Sequence, residues 1–400
     1  MQLKKNIYLI LILIGFISTI LAFVNYDNKK ENLQENSVST FIREDVKTFL
    51  NDVISKKKYP IEKIEQELVN ESYFHSVLIN NAVRFKAFFD SQDYSVELYS
   101  KNCKSLSSQL NIENFGIKNR YAKGIENVKY LFDITSKKEP NFSNQYQDLL
   151  KTNMTNLNNF LEFSDTNCNQ MLSQLKMRNL GLLNDDKIGK NILFFNYITN
   201  PIDELLNNNF QEFSSFKNAP NEDFYLTIQL PKSWNIKEKK DYTYASTICV
   251  AEPYEKFLNG IFTISFQTKI NSEMLNKENF SDNNITETLY GNDELLKPII
   301  YSLNKELKIT DKIKTTLYQA GEKKQILYIY ETEIPNNLVN SQKARIINSI
   351  FFHNGKLIHI CFTGTISNNK FSSFPYYSKI FLKVLNSIKF RELNKNTISE

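Results

Sequence analysis

Histidine is the side chain best suited to chemistry near neutral pH, and this chain has three: His75, His353 and His359. His353 and His359 flank Asn354-Gly355, a pair typical of a tight β-hairpin because both of its residues tolerate positive φ. In that hairpin His359 lies opposite Ile350, so His353 and His359 point to opposite faces of the sheet and cannot share a metal ion. We interpret His359 as a core histidine, His353 as exposed at the hairpin end and His75 as a helix residue beside an aromatic stripe.

Cysteines are the second candidates for chemistry. Cys103 and Cys168 lie in the first half of the chain, and Cys249 and Cys361 lie in the second. If the protein is exported, an even number in each half predicts one disulfide within each half. The alternative is that each cysteine is a buried thiol that packs like a small hydrophobic residue. No Cys-x-x-Cys or Cys/His spacing is typical of a zinc site.

Catalytic motifs are missing from the sequence. It contains no Gly-x-Ser-x-Gly, His-Glu-x-x-His, P-loop or Gly-x-Gly-x-x-Gly. The acidic pairs Asp185-Asp186 and Asp293-Glu294 lie beside or near predicted helix starts, where carboxylates interact favourably with the helix dipole. The sequence therefore assigns no catalytic, cofactor-binding or metal-ligating residue, and we expect a protein that is not an enzyme.

The charges of the chain argue against a nucleic-acid partner. Lys and Arg number 49 and Asp and Glu number 44, and the two signs are interspersed, which leaves a net charge of +5. Such a mixture is typical of an ordinary solvated surface and differs from the clustered basic patch of a nucleic-acid-binding protein.

The elements that must carry any site begin with an apolar segment. Residues 7–24 read IYLILILIGFISTILAFV and follow Lys4 and Lys5. At about 1.5 Å per helical residue this segment crosses most of a hydrocarbon core of about 30 Å. Ile20-Leu21-Ala22 has Ile where a cleavage site needs a small residue, so we predict a retained membrane anchor rather than a signal peptide. The lysines predict an extracytoplasmic body, periplasmic or at the cell surface, although Lys29 and Lys30 weaken this bias; cleavage would make the protein secreted.

The whole chain divides into five parts. Residues 1–25 are the membrane anchor or signal segment, residues 26–39 form a polar tether, and residues 391–400 form a polar tail. Residues 40–217 place apolar side chains at helical spacing, beginning with Ile42 and including an aromatic stripe at Phe74, Phe85 and Phe89, and are predicted to form a helical bundle. The period changes near residue 218, where we place the domain boundary.

Residues 222–390 alternate with the period of β-strands. We predict strands at 224–230, 242–250, 261–268, 314–320, 325–333, 344–353 and 356–364, with helices at 285–307 and 375–388. Both faces of the hairpin at Asn354-Gly355 are apolar, so both should be covered by other elements. The predicted fold class is α+β, with an antiparallel-rich α/β/α sandwich after the helical bundle.

Two stretches of the second half resemble a known family. The first strand runs into Leu230-Pro231-Lys232-Ser233-Trp234, and the closing helix runs into Ser387-Ile388-Lys389-Phe390. Together they resemble the PsbP-like α/β/α sandwich family over residues 222–390. The resemblance implies a binding or scaffold role, in which Pro231 caps the strand and Trp234 anchors a loop on the core, and it carries over no catalytic residue.

The leading functional hypothesis is an exported, membrane-anchored, non-catalytic protein that binds or scaffolds a partner. That partner is an unknown protein or small molecule outside the cytoplasm, and residues 7–24 contact the membrane. One alternative is a hydrolase or isomerase with a dispersed site between the two halves. Another is a ligand sensor in which Phe74, Phe85 and Phe89 line a pocket of the helical half.

Overall fold

A computed structural model describes most of the body of the protein. The described residues are 41–54, 61–62, 72–182, 187–215, 224–238, 246–253, 260–267, 281–304, 308–334, 342–366 and 372–392. No helix among them is both long and apolar enough to cross a membrane. The predicted anchor and tether lie outside the described residues, and so does the predicted polar tail except for its first two residues, Arg391 and Glu392, which end a β-strand.

The first part of the described chain is mostly helical, as predicted, although Ile42–Arg43 and Phe210–Ser214 are strands. Its helices are α1 (Val46–Val53), α2 (Ser72–Asn102), α3 (Ser107–Arg120), α4 (Ala122–Lys138), α5 (Pro140–Phe160), α6 (Asp165–Asn179), α7 (Lys187–Asn196) and α8 (Ile202–Leu206). Helix α2 is the central element, because α3, α4, α5 and α7 all pack against it. Ile42 does not join α1, since Asp45 caps that helix by accepting a hydrogen bond from the Thr48 N–H at 2.7 Å.

Two sheets and three further helices follow. The strands are β1 (Ile42–Arg43), β2 (Phe210–Ser214), β3 (Phe224–Pro231), β4 (Trp234–Glu238), β5 (Ser246–Pro253), β6 (Gly260–Gln267), β7 (Lys308–Ile309), β8 (Lys314–Ala320), β9 (Lys323–Ile334), β10 (Gln342–His353), β11 (Lys356–Thr365) and β12 (Lys389–Glu392). The helices are α9 (Asp282–Gly291), α10 (Asp293–Leu303) and α11 (Ser373–Asn386). The predicted single helix at 285–307 is interrupted because Asn292 starts α10 by accepting hydrogen bonds from the Glu294 and Leu295 N–H groups.

The described strands form a large sheet and a small one. The large sheet has the order β1-β8-β9-β10-β11-β6-β5-β4, with β7 paired to β9, and the small sheet has the order β12-β3-β2. All the pairs are antiparallel except that of β1 with β8. The chain therefore leaves the small sheet at the end of β3 and enters the large sheet at β4.

The predicted hairpin register is confirmed. Ile350 lies opposite His359, and both turn residues have positive φ, 50° at Asn354 and 72° at Gly355. Both faces of the sheet are covered, as their apolar residues predicted. Ile350 and Phe352 pack beneath α9 and α10, whereas Phe351 and Phe362 belong to the core on the other face.

The core on the face of Phe351 and Phe362 continues into the helical part of the protein. One cluster of buried apolar side chains runs from α2 through α7 to β11 and α11. Phe85 of α2 and Phe195 of α7 are in contact within it, with ring centroids 5.5 Å apart. The helices and the sheets are therefore held together by shared burial of apolar surface.

One of the two predicted disulfides is formed. Cys103, directly after α2, is bonded to Cys168 in α6, with their Cα atoms 6.0 Å apart. The predicted Cys249–Cys361 bridge is wrong, and both residues remain thiols. Cys249 pairs with Ile264 and Cys361 pairs with Thr263, so β6 separates them and their side chains lie on opposite faces. Two interstrand spacings, about 9–10 Å, also exceed the reach of a disulfide.

The disulfide gives a first testable prediction. Its two cysteines are separated by 65 residues, and in the chain-entropy model closing such a loop stabilises the fold by about 4 kcal/mol. In urea unfolding, we expect reductant to lower the midpoint of the wild type and to leave that of C103A/C168A unchanged. A wild-type midpoint that does not respond to reductant would contradict this assignment.

Candidate functional site

The corner between β3 and β4, residues 231–234, is where the two sheets and the helical part of the protein meet. Leu230 and Trp234 are fully buried on either side of it. The Trp234 indole packs edge-on against Tyr377 of α11, with ring centroids 5.4 Å apart. Pro231 is the last residue of β3 and pairs with Phe210 of β2.

Polar side chains of residues that precede the corner in the sequence form hydrogen bonds to its backbone. Gln211 of β2 donates hydrogen bonds to the carbonyl oxygens of Pro231, at 2.8 Å, and of Trp234. Lys190 of α7 donates to the same Trp234 carbonyl at 3.1 Å. These contacts fix the corner relative to both α7 and the small sheet.

Glu204 of α8 makes the most buried of these contacts. Its Oε1 accepts a hydrogen bond from the Ser233 N–H at 2.7 Å, and its Oε2 accepts one from the Ser233 hydroxyl at 2.6 Å. Burial raises the pKa of the Glu204 carboxyl to about 7, and the donors of Ser233 and the charge of Lys232 oppose this rise. A carboxyl with this pKa changes its charge near neutral pH.

A serine hydroxyl bonded to a carboxylate of raised pKa is also the arrangement that activates a nucleophile. A small cleft lined by Glu204, Ser233 and the aromatic rings of Trp234, Tyr376 and Tyr377 lies beside them. However, Glu204 and Ser233 are only 2% and 3% exposed. The same carboxyl also accepts a hydrogen bond from the Ser233 N–H, so the pair is better explained as a structural contact that fixes the backbone of the corner.

A second cleft includes the corner residue Lys232 in its lining, and we call it the seam cleft. Elements of both parts of the protein form it, and about 20 Å³ of it is open to a water-sized molecule. Its walls are Phe89, Gln92, Ile117, Tyr121, Arg178, Gly181, Gly189, Ile192, Leu193, Asn209 and Lys232. Phe89 thus belongs both to the core and to this wall, whereas Phe85 is packed in the core and the side chain of Phe74 lies outside the described residues.

Two cations of the seam cleft are held in place by neutral groups. Arg178 donates to Gln92 Oε1 at 2.7 Å, and its guanidinium lies 5.1 Å from the centroid of the Phe88 ring. Lys232 at the corner donates to the carbonyl oxygen of Gly181. These contacts help to position both cationic groups.

Arg120 adds a third cation beside the cleft. It donates to the Asn179 carbonyl and to Asn209 Oδ1, both at 3.1 Å. Gly181 has a φ of 70°, and a Cβ at this position would clash with the Arg120 guanidinium. A glycine is therefore favoured here for its backbone conformation, whereas the guanidinium is the end of a flexible side chain that a Cβ could displace.

Tyr121 forms the polar part of the buried wall. Burial raises the pKa of its phenol, and the positive charges of Arg120 and Arg178 oppose this rise. The phenol is therefore neutral at physiological pH and can donate a hydrogen bond from its hydroxyl.

His353 and His359 do not line either cleft. His359 is a core histidine, as interpreted from the sequence: its Nε2 lies 2.9 Å from Asn348 Oδ1, and burial lowers its pKa to about 4. The interpretation of His353 as exposed is wrong, since the residue is buried and its ring stacks on Phe390 with centroids 3.8 Å apart. Phe390 belongs to β12, a strand that the sequence analysis did not predict. His75 lies in α2.

Metal ligands do not converge anywhere in the part of the chain that the structure describes. No group of three or more His, Cys, Asp or Glu side chains there is placed to hold a metal ion.

Comparisons with known proteins include a weak likeness to a solved structure. No protein-family profile matches the chain, and no curated protein matches it. Among solved structures, the cyanobacterial PsbP protein (CyanoP) from Synechocystis sp. PCC 6803 is similar to 46% of this chain over 93% of its own length, with 13% sequence identity and a TM-score of 0.26. This is a weak PsbP-like fold resemblance and supports no inference about function.

The buried carboxyl of Glu204 gives a second prediction. Its pKa of about 7 lies above the value of 4.5 for an unperturbed carboxyl, so the folded state binds a proton more tightly than the unfolded state. This contribution to stability is complete below pH 4.5 and is lost as the pH rises through 7, by roughly 3 kcal/mol.

The variant E204Q keeps a neutral group of the same shape and should abolish that slope. In urea unfolding at pH 5 and pH 8, we expect E204Q to be more stable than the wild type at pH 8 and similar to it at pH 5. E126Q, at an exposed position of α4, is the matched control and should keep the wild-type slope. Identical pH dependence in E204Q and the wild type would contradict the assignment.

Proposed function

We propose that this chain is an exported, membrane-anchored, non-catalytic binding protein whose partner or ligand engages the seam cleft. The apolar segment at 7–24 and the tether at 26–39 support the anchoring, and the basic residues before them support an extracytoplasmic body. The family motif at Leu230, Pro231 and Trp234, with helices on both faces of the large sheet, supports a PsbP-like sandwich for residues 222–390.

The observation that carries the proposal is the composition of the seam cleft. Helices α2, α3, α6 and α7 contribute one wall, and Lys232 at the corner contributes the other. Polar groups converge there above an apolar floor, which is the usual composition of a binding site. Since α7 and the corner are tied by Lys190, a molecule bound in the cleft contacts both parts of the protein.

The enzyme alternative depends on a different observation, the hydrogen bond between Ser233 and Glu204. A hydrolase using this pair would need Ser233 as nucleophile and Glu204 as general base. The 2–3% exposure of both residues favours the structural explanation.

Cell fractionation with thiol labelling tests the location. We expect tagged full-length protein in the membrane fraction, with Cys103 and Cys168 labelled only after reduction, because a disulfide persists only outside the reducing cytoplasm. Soluble exported protein would show that the apolar segment is cleaved. Labelling of both cysteines in unreduced protein would contradict an extracytoplasmic body.

The variant S233A distinguishes a binding protein from a hydrolase. Losing the hydroxyl removes one hydrogen bond to Glu204 and should cost about 1–3 kcal/mol of stability, without abolishing any activity. The assay compares wild type and S233A on a panel of esters and amides, with thermal unfolding as the control for folding. Hydrolysis by the wild type that folded S233A lacks would establish the enzyme alternative.

A further inference from the structure

His353 is a buried ionisable residue that the proposed binding site does not use. It ends β10 at the hairpin turn and is only 7% exposed. The Phe390 ring of β12 stacks on its imidazole with centroids 3.8 Å apart, and the Phe224 ring of β3 packs edge-on against it at 4.4 Å. We infer that His353 makes the docking of β12 sensitive to pH, so that acid releases this strand from the hairpin. This inference does not depend on the seam cleft.

Strand β12 is a short element that connects the two sheets. Its four residues pair with β3 in the small sheet. At the hairpin of the large sheet, the Glu392 carboxylate accepts hydrogen bonds from the Asn354 side-chain amide at 3.1 and 3.2 Å. Helix α11 is held separately, because the Ser387 hydroxyl accepts a hydrogen bond from the Gln229 N–H at 2.9 Å. Release of β12 therefore does not require α11 to move.

The first argument is the state of the imidazole nitrogens. Both are shielded from water, and neither has a hydrogen-bond partner in the described part of the chain. Nδ1 lies 3.8 Å from a carboxylate oxygen of Asp282 in α9, and Nε2 lies 3.6 Å from one of Glu392, so both distances are too long for hydrogen bonds. A neutral imidazole tolerates this site better than an imidazolium, whose buried charge is costly without acceptors for its two N–H groups.

The second argument is that the two carboxylates facing the imidazole are already engaged. Asp282 accepts a hydrogen bond from Lys323 of β9 at 2.8 Å, and further hydrogen bonds from the backbone N–H groups of the turn at 354–355. The Glu392 side chain is 61% exposed, so water screens its charge. Neither carboxylate is therefore a strong partner for a cation on His353.

Lysines supply the other charges beside the imidazole among the described residues. The Lys323 ammonium lies 5.7 Å from the centroid of the Phe390 ring, on which His353 stacks. Lys356 of β11 is the residue opposite His353 in the hairpin. A protonated His353 would be repelled by Lys323, and Lys356 offers no compensating charge.

These surroundings lower the pKa of the imidazole. Burial lowers the pKa of His353 from 6.5 to about 4, the charge of Lys323 adds to this, and the charges of Asp282 and Glu392 oppose it. Release of β12 exposes the imidazole to water, which returns its pKa towards 6.5. Docking is thus fully favoured above pH 6.5 and weakens as the pH falls towards 4. At pH 5 the equilibrium constant for release should be about 30-fold higher than at pH 7.5.

Release of β12 changes the surface of the small sheet. β12 is the neighbour of β3 on one side, and β2 is its neighbour on the other. The departure of β12 frees the backbone groups with which residues 224–227 bind it. Such a strand edge is a template for pairing with another strand. Acid would therefore uncover a surface that is closed at neutral pH.

The alternative is that a protonated His353 moves towards Asp282 and Glu392 and forms ion pairs with them. In that case acid would tighten the docking of β12, and the pH dependence would have the opposite sign.

The test is hydrogen exchange of the full-length protein in detergent, measured by mass spectrometry at pH values between 7.5 and 5. Exchange is corrected for the intrinsic rate at each pH. We expect the equilibrium constant for opening of β12 to rise about 30-fold over this range, because one proton is taken up on release. Peptides that cover β2 should not show this rise. An equal rise in β2 would show that the whole small sheet opens and would overturn the inference.

Three variants complete the experiment. H353F keeps an aromatic ring for the stack on Phe390 but cannot take up a proton, so it should abolish the rise. H353M is a second neutral variant, with a flexible side chain that fills the same space, and should also abolish it. The control K389M removes a charge from β12 on the face opposite to Phe390 and should keep the wild-type rise. Wild-type opening that is unchanged or reduced at pH 5, or a wild-type rise in either folded His353 variant, would overturn the inference.

Discussion

Ser233 donates two hydrogen bonds to the buried carboxyl of Glu204, and these bonds fix the corner between β3 and β4, on which the rest of the structure depends. At this corner the chain passes from the small sheet to the large one, and α7, α8 and α11 all make contacts within a few residues of it. A buried carboxyl is costly unless it is hydrogen-bonded, so such a group persists where it fixes a geometry that packing alone leaves open. Here it fixes the direction in which β4 leaves β3.

The seam cleft is a consequence of that geometry. Lys232 directly precedes Ser233, so the position of its ammonium group depends on the conformation of the corner. That ammonium group donates a hydrogen bond to the carbonyl of Gly181, just after α6. Arg178 stands on the facing wall, one turn before Gly181 along the chain. The distance between the two cations is therefore set by the packing of helices against sheets, and a ligand between them would respond to any shift in that packing.

Parts of this fold could be predicted from the sequence because their signals are local. Asn354-Gly355 determined a hairpin and its register, and the alternation of apolar residues around it showed that both faces would be covered. Other features depend on contacts between residues that are distant in sequence. β12 is a short strand with exposed residues, so nothing nearby showed that it would bury His353. Cys249 and Cys361 lie in neighbouring parts of the sheet but on opposite faces, which strand order alone determines.

The candidate site was the least predictable part, for the same reason. Glu204 belongs to a five-residue helix and looks like an ordinary surface carboxylate in the sequence, and its partner Ser233 was noticed only as part of a structural motif. Arg120, Arg178 and Lys232 are three basic residues among 49, and only the tertiary structure brings them together. A signal that could have drawn attention to them is the glycine at 181, which adopts a positive φ next to the Arg120 guanidinium.

The central claim is that helices and sheets form one body joined at this corner, and native-state hydrogen exchange of the intact protein tests it most directly. Helix α2 and strand β10 both contribute side chains to one continuous core. The account therefore predicts that amides in the middle of α2 and in β10 exchange with the same free energy of opening. E204Q at pH 8 should raise both values together. Exchange of α2 at a clearly lower free energy than β10, unchanged by E204Q, would show that the helices open independently and would contradict a seam cleft with fixed walls.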